Sequence, residues 1–122
     1  MLSVCLLCSR VNVSKSGKNN SVRIIGGDWR GRRLQVADVP GLRPTGDRAR
    51  ETLFNWLQPW VPAADCIDLF AGTGALGFEA ASRGAASVLM IEKHPRALRV
   101  LRESIELLQA MQVNLQEGGA MS

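Results

Sequence analysis

Apolar residues recur along this chain in several rhythms, and each predicts a different element. The β-branched run Val22–Ile25, the pair Gly26-Gly27 and the stretch Leu34-Gln35-Val36 predict two short strands joined through a glycine-containing turn, a hairpin. Between about Asp47 and Gln58, Ala49, Leu53, Trp56 and Leu57 recur at i, i+4, i+7 and i+8. That spacing predicts a helix with these residues as its apolar stripe, Arg50 outside the stripe and Pro59 as its stop. Cys66–Phe70 and Val88–Ile91 read as buried strands. The helix between them runs to about Arg83, with Gly84 placed to end it. Pro95 opens a third helix along Leu98, Leu101, Ile105 and Leu108, and the alternation of Gln112–Gln116 predicts a third strand. The order strand, helix, strand, helix, strand implies an α/β fold with a parallel sheet and right-handed crossovers.

The first 21 residues break this rhythm. They close on Ser14-Lys15-Ser16-Gly17-Lys18-Asn19-Asn20-Ser21, too polar to bury a core, and 1–21 is expected to be a flexible tail. Residues 22–60 form a basic hairpin-and-helix extension, and 61–122 the α/β unit. No apolar run reaches the ~20 residues of a membrane helix, and the opening residues lack signal-peptide features, so a cytoplasmic location is expected. Cys5 and Cys8 form one C-x-x-C pair, but no second pair exists and His94 is the single histidine, so no metal site is expected. Cys66 lies in an apolar run and reads as a small core residue.

Charge sharpens the division. Residues 1–60 hold ten Lys/Arg against four Asp/Glu, whereas 61–122 hold five against seven. Seven of those ten cations are arginines between Arg23 and Arg50, a side chain suited to bidentate phosphate and base contacts. Arg30, Arg32 and Arg33 beside Trp29 suggest an RNA-facing loop, where a base can stack while phosphates are neutralised. Arg48 and Arg50 are placed to reach a substrate or cofactor, or simply to be solvated.

Gly72-Thr73-Gly74-Ala75-Leu76-Gly77 fits G-x-G-x-x-G after a strand and at the opening of a helix, the context that gives this short motif meaning. Gly72 and Gly74 permit a tight turn with bare backbone against a ligand. Gly77 permits close packing of helix on strand. Glu92 ends the second strand, where its carboxylate can accept both hydroxyls of a ribose, so an adenosine-containing cofactor is implied. Asp68, at the end of the first strand, disfavours a pyrophosphate and suits the ammonium of S-adenosylmethionine. That favours this cofactor over NAD, and an NAD-dependent oxidoreductase fragment remains as a further alternative.

Three ordered motifs carry a resemblance. They are Arg23-Ile24-Ile25-Gly26-Gly27-x-Trp29-Arg30-Gly31-Arg32, then Leu42-Arg43-Pro44-Thr45-x-Asp47-Arg48-x-Arg50-Glu51-Thr52-Leu53-Phe54-Asn55-Trp56-Leu57, then Asp68-Leu69-Phe70-Ala71-Gly72-Thr73-Gly74-Ala75-Leu76-Gly77. Over about residues 22–122 the chain resembles the bacterial 16S rRNA guanine-N2 methyltransferases, the RsmD-like family. The resemblance implies a Rossmann-like S-adenosylmethionine-dependent methyltransferase fold with an N-terminal β-hairpin extension, and methyl transfer to a guanine N2 of 16S ribosomal RNA or the small ribosomal subunit. By position it implies cofactor contacts from Asp68, Ala71, Gly72, Thr73, Gly74, Glu92 and Lys93, with Ala120-Met121 beside the adenine. Thr45, Arg48 and Thr52 match a stretch packing near the cofactor. Arg23, Arg30, Arg32 and Arg33 match a basic hairpin, joined as expected RNA contacts by Arg48 and Arg50.

The chain departs from the family pattern in one respect. Family members continue into an Asp- or Asn-Pro-Pro-aromatic motif that holds the target amine, and no Pro-Pro pair occurs among these 122 residues. The sheet is therefore expected to be truncated with an exposed edge, the catalytic residues to lie beyond Ser122, and these residues alone to show little activity. The alternatives are a non-catalytic RNA- or cofactor-binding remnant and an adenine-N6 methyltransferase fragment.

Overall fold

The computed structural model describes residues 3–6, 21–36, 46–69 and 74–118, with backbone alone for 3–6 and for Leu69. Among the described residues, six strands and three helices follow in the order β1 (Ser3–Leu6), β2 (Ser21–Arg23), β3 (Arg33–Gln35), α1 (Asp47–Leu57), β4 (Asp65–Leu69), α2 (Ala75–Ser82), β5 (Ser87–Glu92), α3 (Pro95–Leu108) and β6 (Val113–Glu117). β1, β4, β5 and β6 lie in that spatial order in one parallel sheet, and β2 and β3 form a separate antiparallel hairpin.

The central β-α-β-α-β unit follows the sequence reading because its local signals agree. α2 ends in a Schellman turn: Gly84, at φ 107°, donates to the carbonyl of Ala81, and Ala85 donates back to Ala80. α3 opens on Pro95 after His94, whose Nδ1 accepts the Arg96 amide at 3.2 Å. Cys66, Asp68, Val88, Met90, Glu92 and Val113 are buried on one face of the sheet. A Cβ added to Gly77 would lie 2.5 Å from Met90 Cε and 3.1 Å from Asp68 Oδ2, so glycine lets α2 lie this close to β5 without displacing the Met90 side chain. Phe54, Phe78, Val61 and Leu101 complete the core.

Two expectations change. Ser3–Leu6 is not part of a tail but a strand paired in parallel with β4, Ser3 opposite Asp65 and Leu6 opposite Asp68. The Val4-Cys5-Leu6 run supplies β-forming residues that satisfy backbone groups along β4, so β1 rather than β4 forms that edge of the sheet. Second, the buried face of α1 is shifted from the one expected. Arg50 and Phe54 point inward, whereas Trp56 is 72% exposed and Ala49 is also exposed. Leu53 and Leu57 of the expected stripe do pack half-buried against the core, while Arg50 turns inward because of the partners described below.

Cys66 is buried, as expected. Burial pushes its thiol pKa up, and the negative charge of Asp65 adds to the effect. A raised thiol pKa contributes stability that is present below the unfolded value and lost as pH rises through the folded one. The Cys66 peptide should therefore resist iodoacetamide in the native chain at neutral pH and react on denaturation, as mass mapping would read. Rapid native labelling would contradict the placement.

Candidate functional site

The candidate site forms where β4 and β5 end and α2 begins. β4 and β5 run in register with Asp68 opposite Met90 and Leu69 opposite Ile91, so Glu92, one residue further on, reaches the sheet margin where the chain leaves β4 toward Gly74. Gly74 adopts φ 80° as the N-cap of α2, a backbone favouring glycine. A Cβ there would lie 2.6 Å from Leu101 and 2.8 Å from the Phe78 ring. Asp68 is fully buried and its Oδ2 accepts the Gly77 amide at 3.1 Å. This carboxylate therefore braces the first turn of α2, where the helix dipole favours negative charge. The buried Glu92 accepts the His94 amide through Oε2 at 3.0 Å. Lys93 is exposed beside it. Ala71, Gly72, Thr73 and Ala120, also expected at this site, lie outside the described residues, as do Thr45 and Met121.

Asp68 and Glu92 are thus two buried acids near the ends of adjacent strands, each accepting a backbone amide. Among the described residues no group of three or more His, Cys, Asp or Glu is placed to hold a metal ion, and no helix is long and apolar enough to cross a membrane.

The basic residues separate. Arg30, Arg32, Arg33 and Arg48 are exposed, and Arg23 is half-exposed, 3.5 Å from Asp47. Arg50, expected among the RNA contacts, is instead 1% exposed. Its guanidinium donates to the Arg23 carbonyl and to Asp47 Oδ1 at 2.9 Å, and lies 3.6 Å from Glu79. Neutralised from two sides, it joins the interior rather than the RNA-facing surface. Trp29 is half-buried against the core, so its ring is not the open stacking platform expected from its arginine neighbours.

Sequence reading missed Glu79, Ser82 and Arg83, which dock the hairpin. Glu79 is fully buried. It accepts the amides of Ile25 at 3.0 Å and Gly26 at 2.9 Å and pairs with Arg83 Nε at 2.8 Å. Ser82 Oγ accepts the Trp29 amide at 2.9 Å and donates to the Gly26 carbonyl. The Ser82 carbonyl accepts Asp28 at 2.8 Å. One signal was available: a glutamate in the otherwise uncharged stretch Ala75–Ser82, four residues before an arginine.

A glycine bend between a parallel strand and a helix, with an acid at the end of the next strand, defines a Rossmann-like fold. Known proteins agree. A family model described as conserved hypothetical protein 95 matches residues 22–121, and the chain belongs to that family. It is 51% identical over 111 residues to the ribosomal RNA small subunit methyltransferase D of Escherichia coli K12, covering 91% of this chain and 54% of that protein. It is 52% identical over 87 residues to the protein of the same name from Haemophilus influenzae, covering 71% and 45%. A solved Escherichia coli chain described as a methyltransferase candidate, yhhF, superposes with a TM-score of 0.77 at 46% identity, over 83% of this chain and 54% of that one. The chain thus spans about half the length of the curated relatives it matches.

Proposed function

We propose that these residues form the cofactor-binding part, with an RNA-facing extension, of an S-adenosylmethionine-dependent methyltransferase acting on guanine N2 of 16S ribosomal RNA. The observation that carries the reading is that Glu92 ends β5, the strand paired with β4, while β4 leads along the chain to the Gly74 N-cap of α2. In this reading its carboxylate accepts hydrogen bonds from ribose hydroxyls. Asp68 fixes the first turn of α2 and adds negative potential for an ammonium, with Ala71, Gly72, Thr73, Lys93 and Ala120 as further expected contacts. S-adenosylmethionine, when bound, supplies an electrophilic methyl group.

The exposed arginines Arg23, Arg30, Arg32, Arg33 and Arg48 form the face proposed to meet ribosomal RNA, holding phosphates and so orienting the substrate. The relatives' printed name, a small-subunit ribosomal RNA methyltransferase, supports that substrate. A non-catalytic RNA- or cofactor-binding role is the second reading. Methyl transfer depends on holding nucleophile and methyl donor in line.

Labelled S-adenosylmethionine with small ribosomal subunits tests the whole reading. The chain should bind the cofactor and the RNA, and methyl incorporation would reject the non-catalytic reading. Absence of cofactor binding would reject the methyltransferase reading. Arg32→Ala should weaken RNA binding and reduce the salt slope by about one, and an unaltered slope would remove the hairpin from the RNA face.

A further inference from the structure

The hairpin loop that carries Arg30, Arg32 and Arg33 is held to α2 by buried polar groups rather than by packing alone. Both carboxylate oxygens of Glu79 are committed, Oε1 to the Ile25 amide and Oε2 to the Gly26 amide. Arg83 Nε bonds Oε2, and its guanidinium fills the space a Cβ on Gly26 would need, 3.0 Å away. Arg50 joins Glu79 to the Arg23 carbonyl on β2 and to Asp47 on α1. A buried ion cluster of this kind is a poor source of stability, because apolar residues of equal volume do as well or better. It does fix direction: two amides, two guanidinium groups and one carboxylate close in a single arrangement.

Glu79 stands five residues after Gly74 on the same short helix. One rigid element therefore carries the cofactor bend at its start and the hairpin's anchor near its end. We propose that Glu79 is a positioning residue for RNA recognition, which fixes the Ile25–Gly26 bend so that the arginine-bearing loop sits at a set distance and angle from the methyl-donor pocket. This rests on the RNA-facing role proposed above for the hairpin. Glu79 itself touches neither RNA nor cofactor.

Charge and position predict opposite results for Glu79→Gln. The variant removes a negative charge near the basic face, so Coulomb attraction alone would tighten RNA binding. Loss of the bidentate anchor would loosen it.

The test uses the full chain with three readouts: calorimetry with S-adenosylmethionine, anisotropy with a fluorescein-labelled RNA stem-loop, and amide hydrogen exchange at Ile25 and Gly26. We expect cofactor affinity within about twofold of wild type, RNA binding about tenfold weaker with its salt slope retained, and lost protection at the two amides. Unchanged or tighter RNA binding by a variant that still holds cofactor would overturn the proposal. A parallel loss of both affinities would reduce Glu79 to a general stabiliser and overturn it too. If wild type binds cofactor but not the stem-loop, the RNA-facing reading of the hairpin fails and this proposal falls with it. The exchange data then report separately on the anchor, because rapid exchange at Ile25 and Gly26 in wild type would show that it does not hold.

Discussion

Gly27→Ala is expected to release the hairpin from the α/β unit and lower the melting temperature by ~10 °C, equivalent to about 3 kcal/mol for a chain of this size. Two costs combine. The backbone at φ 83° is left-handed, which costs an L-residue about 1–2 kcal/mol. The added Cβ would also lie 1.9 Å from the Ser82 carbonyl oxygen. That oxygen belongs to the α2 backbone and accepts the Asp28 amide, so it cannot swing aside as a side chain would. The chain must move instead, and the bonds from Trp29 to Ser82 and from Gly26 to Glu79 are strained with it. Thermal unfolding with amide exchange at Asp28 and Trp29 measures the effect. A variant that melts with wild type and keeps those amides protected would show that the hairpin does not dock as described.

Glu92→Ala should weaken S-adenosylmethionine binding by about 1–3 kcal/mol, roughly 5- to 150-fold, through loss of the acceptor for ribose hydroxyls. The same carboxylate accepts the His94 amide, so part of the loss acts through the turn that leads into α3. Glu92→Gln separates the contributions, because it keeps an oxygen acceptor and the side-chain length. It should fall between alanine and wild type. Calorimetry giving wild-type affinity for the alanine variant would remove Glu92 from the site.

The α/β unit was readable because each of its signals is local. Buried parallel strands appear as short apolar runs, Gly84 and Pro95 punctuate the helices, and Gly74 and Gly77 announce a tight bend and a close approach. β1 was not readable in this way. The polar run that ends in Ser21 dominates the composition there, while the pairing of Ser3–Leu6 depends on a strand far along the chain. The inward face of α1 was hidden for a different reason. Periodicity counts apolar residues and has no place for an arginine that turns inward because Asp47 and Glu79 neutralise it. Glu92 could be placed because it ends a strand, whereas the amides that Glu79 anchors lie on a hairpin more than fifty positions earlier.

The placement of β1 beside β4 has a consequence for chain entropy. Asp65 pairs with Ser87 22 positions on, and Val88 with Val113 25 positions on, but Ser3 and Asp65 are separated by 62. Closing that longer loop costs about 1 kcal/mol more than closing either shorter one. Loop closure alone therefore favours zipping β4, β5 and β6 together first and adding the amino-terminal strand to a surface already formed.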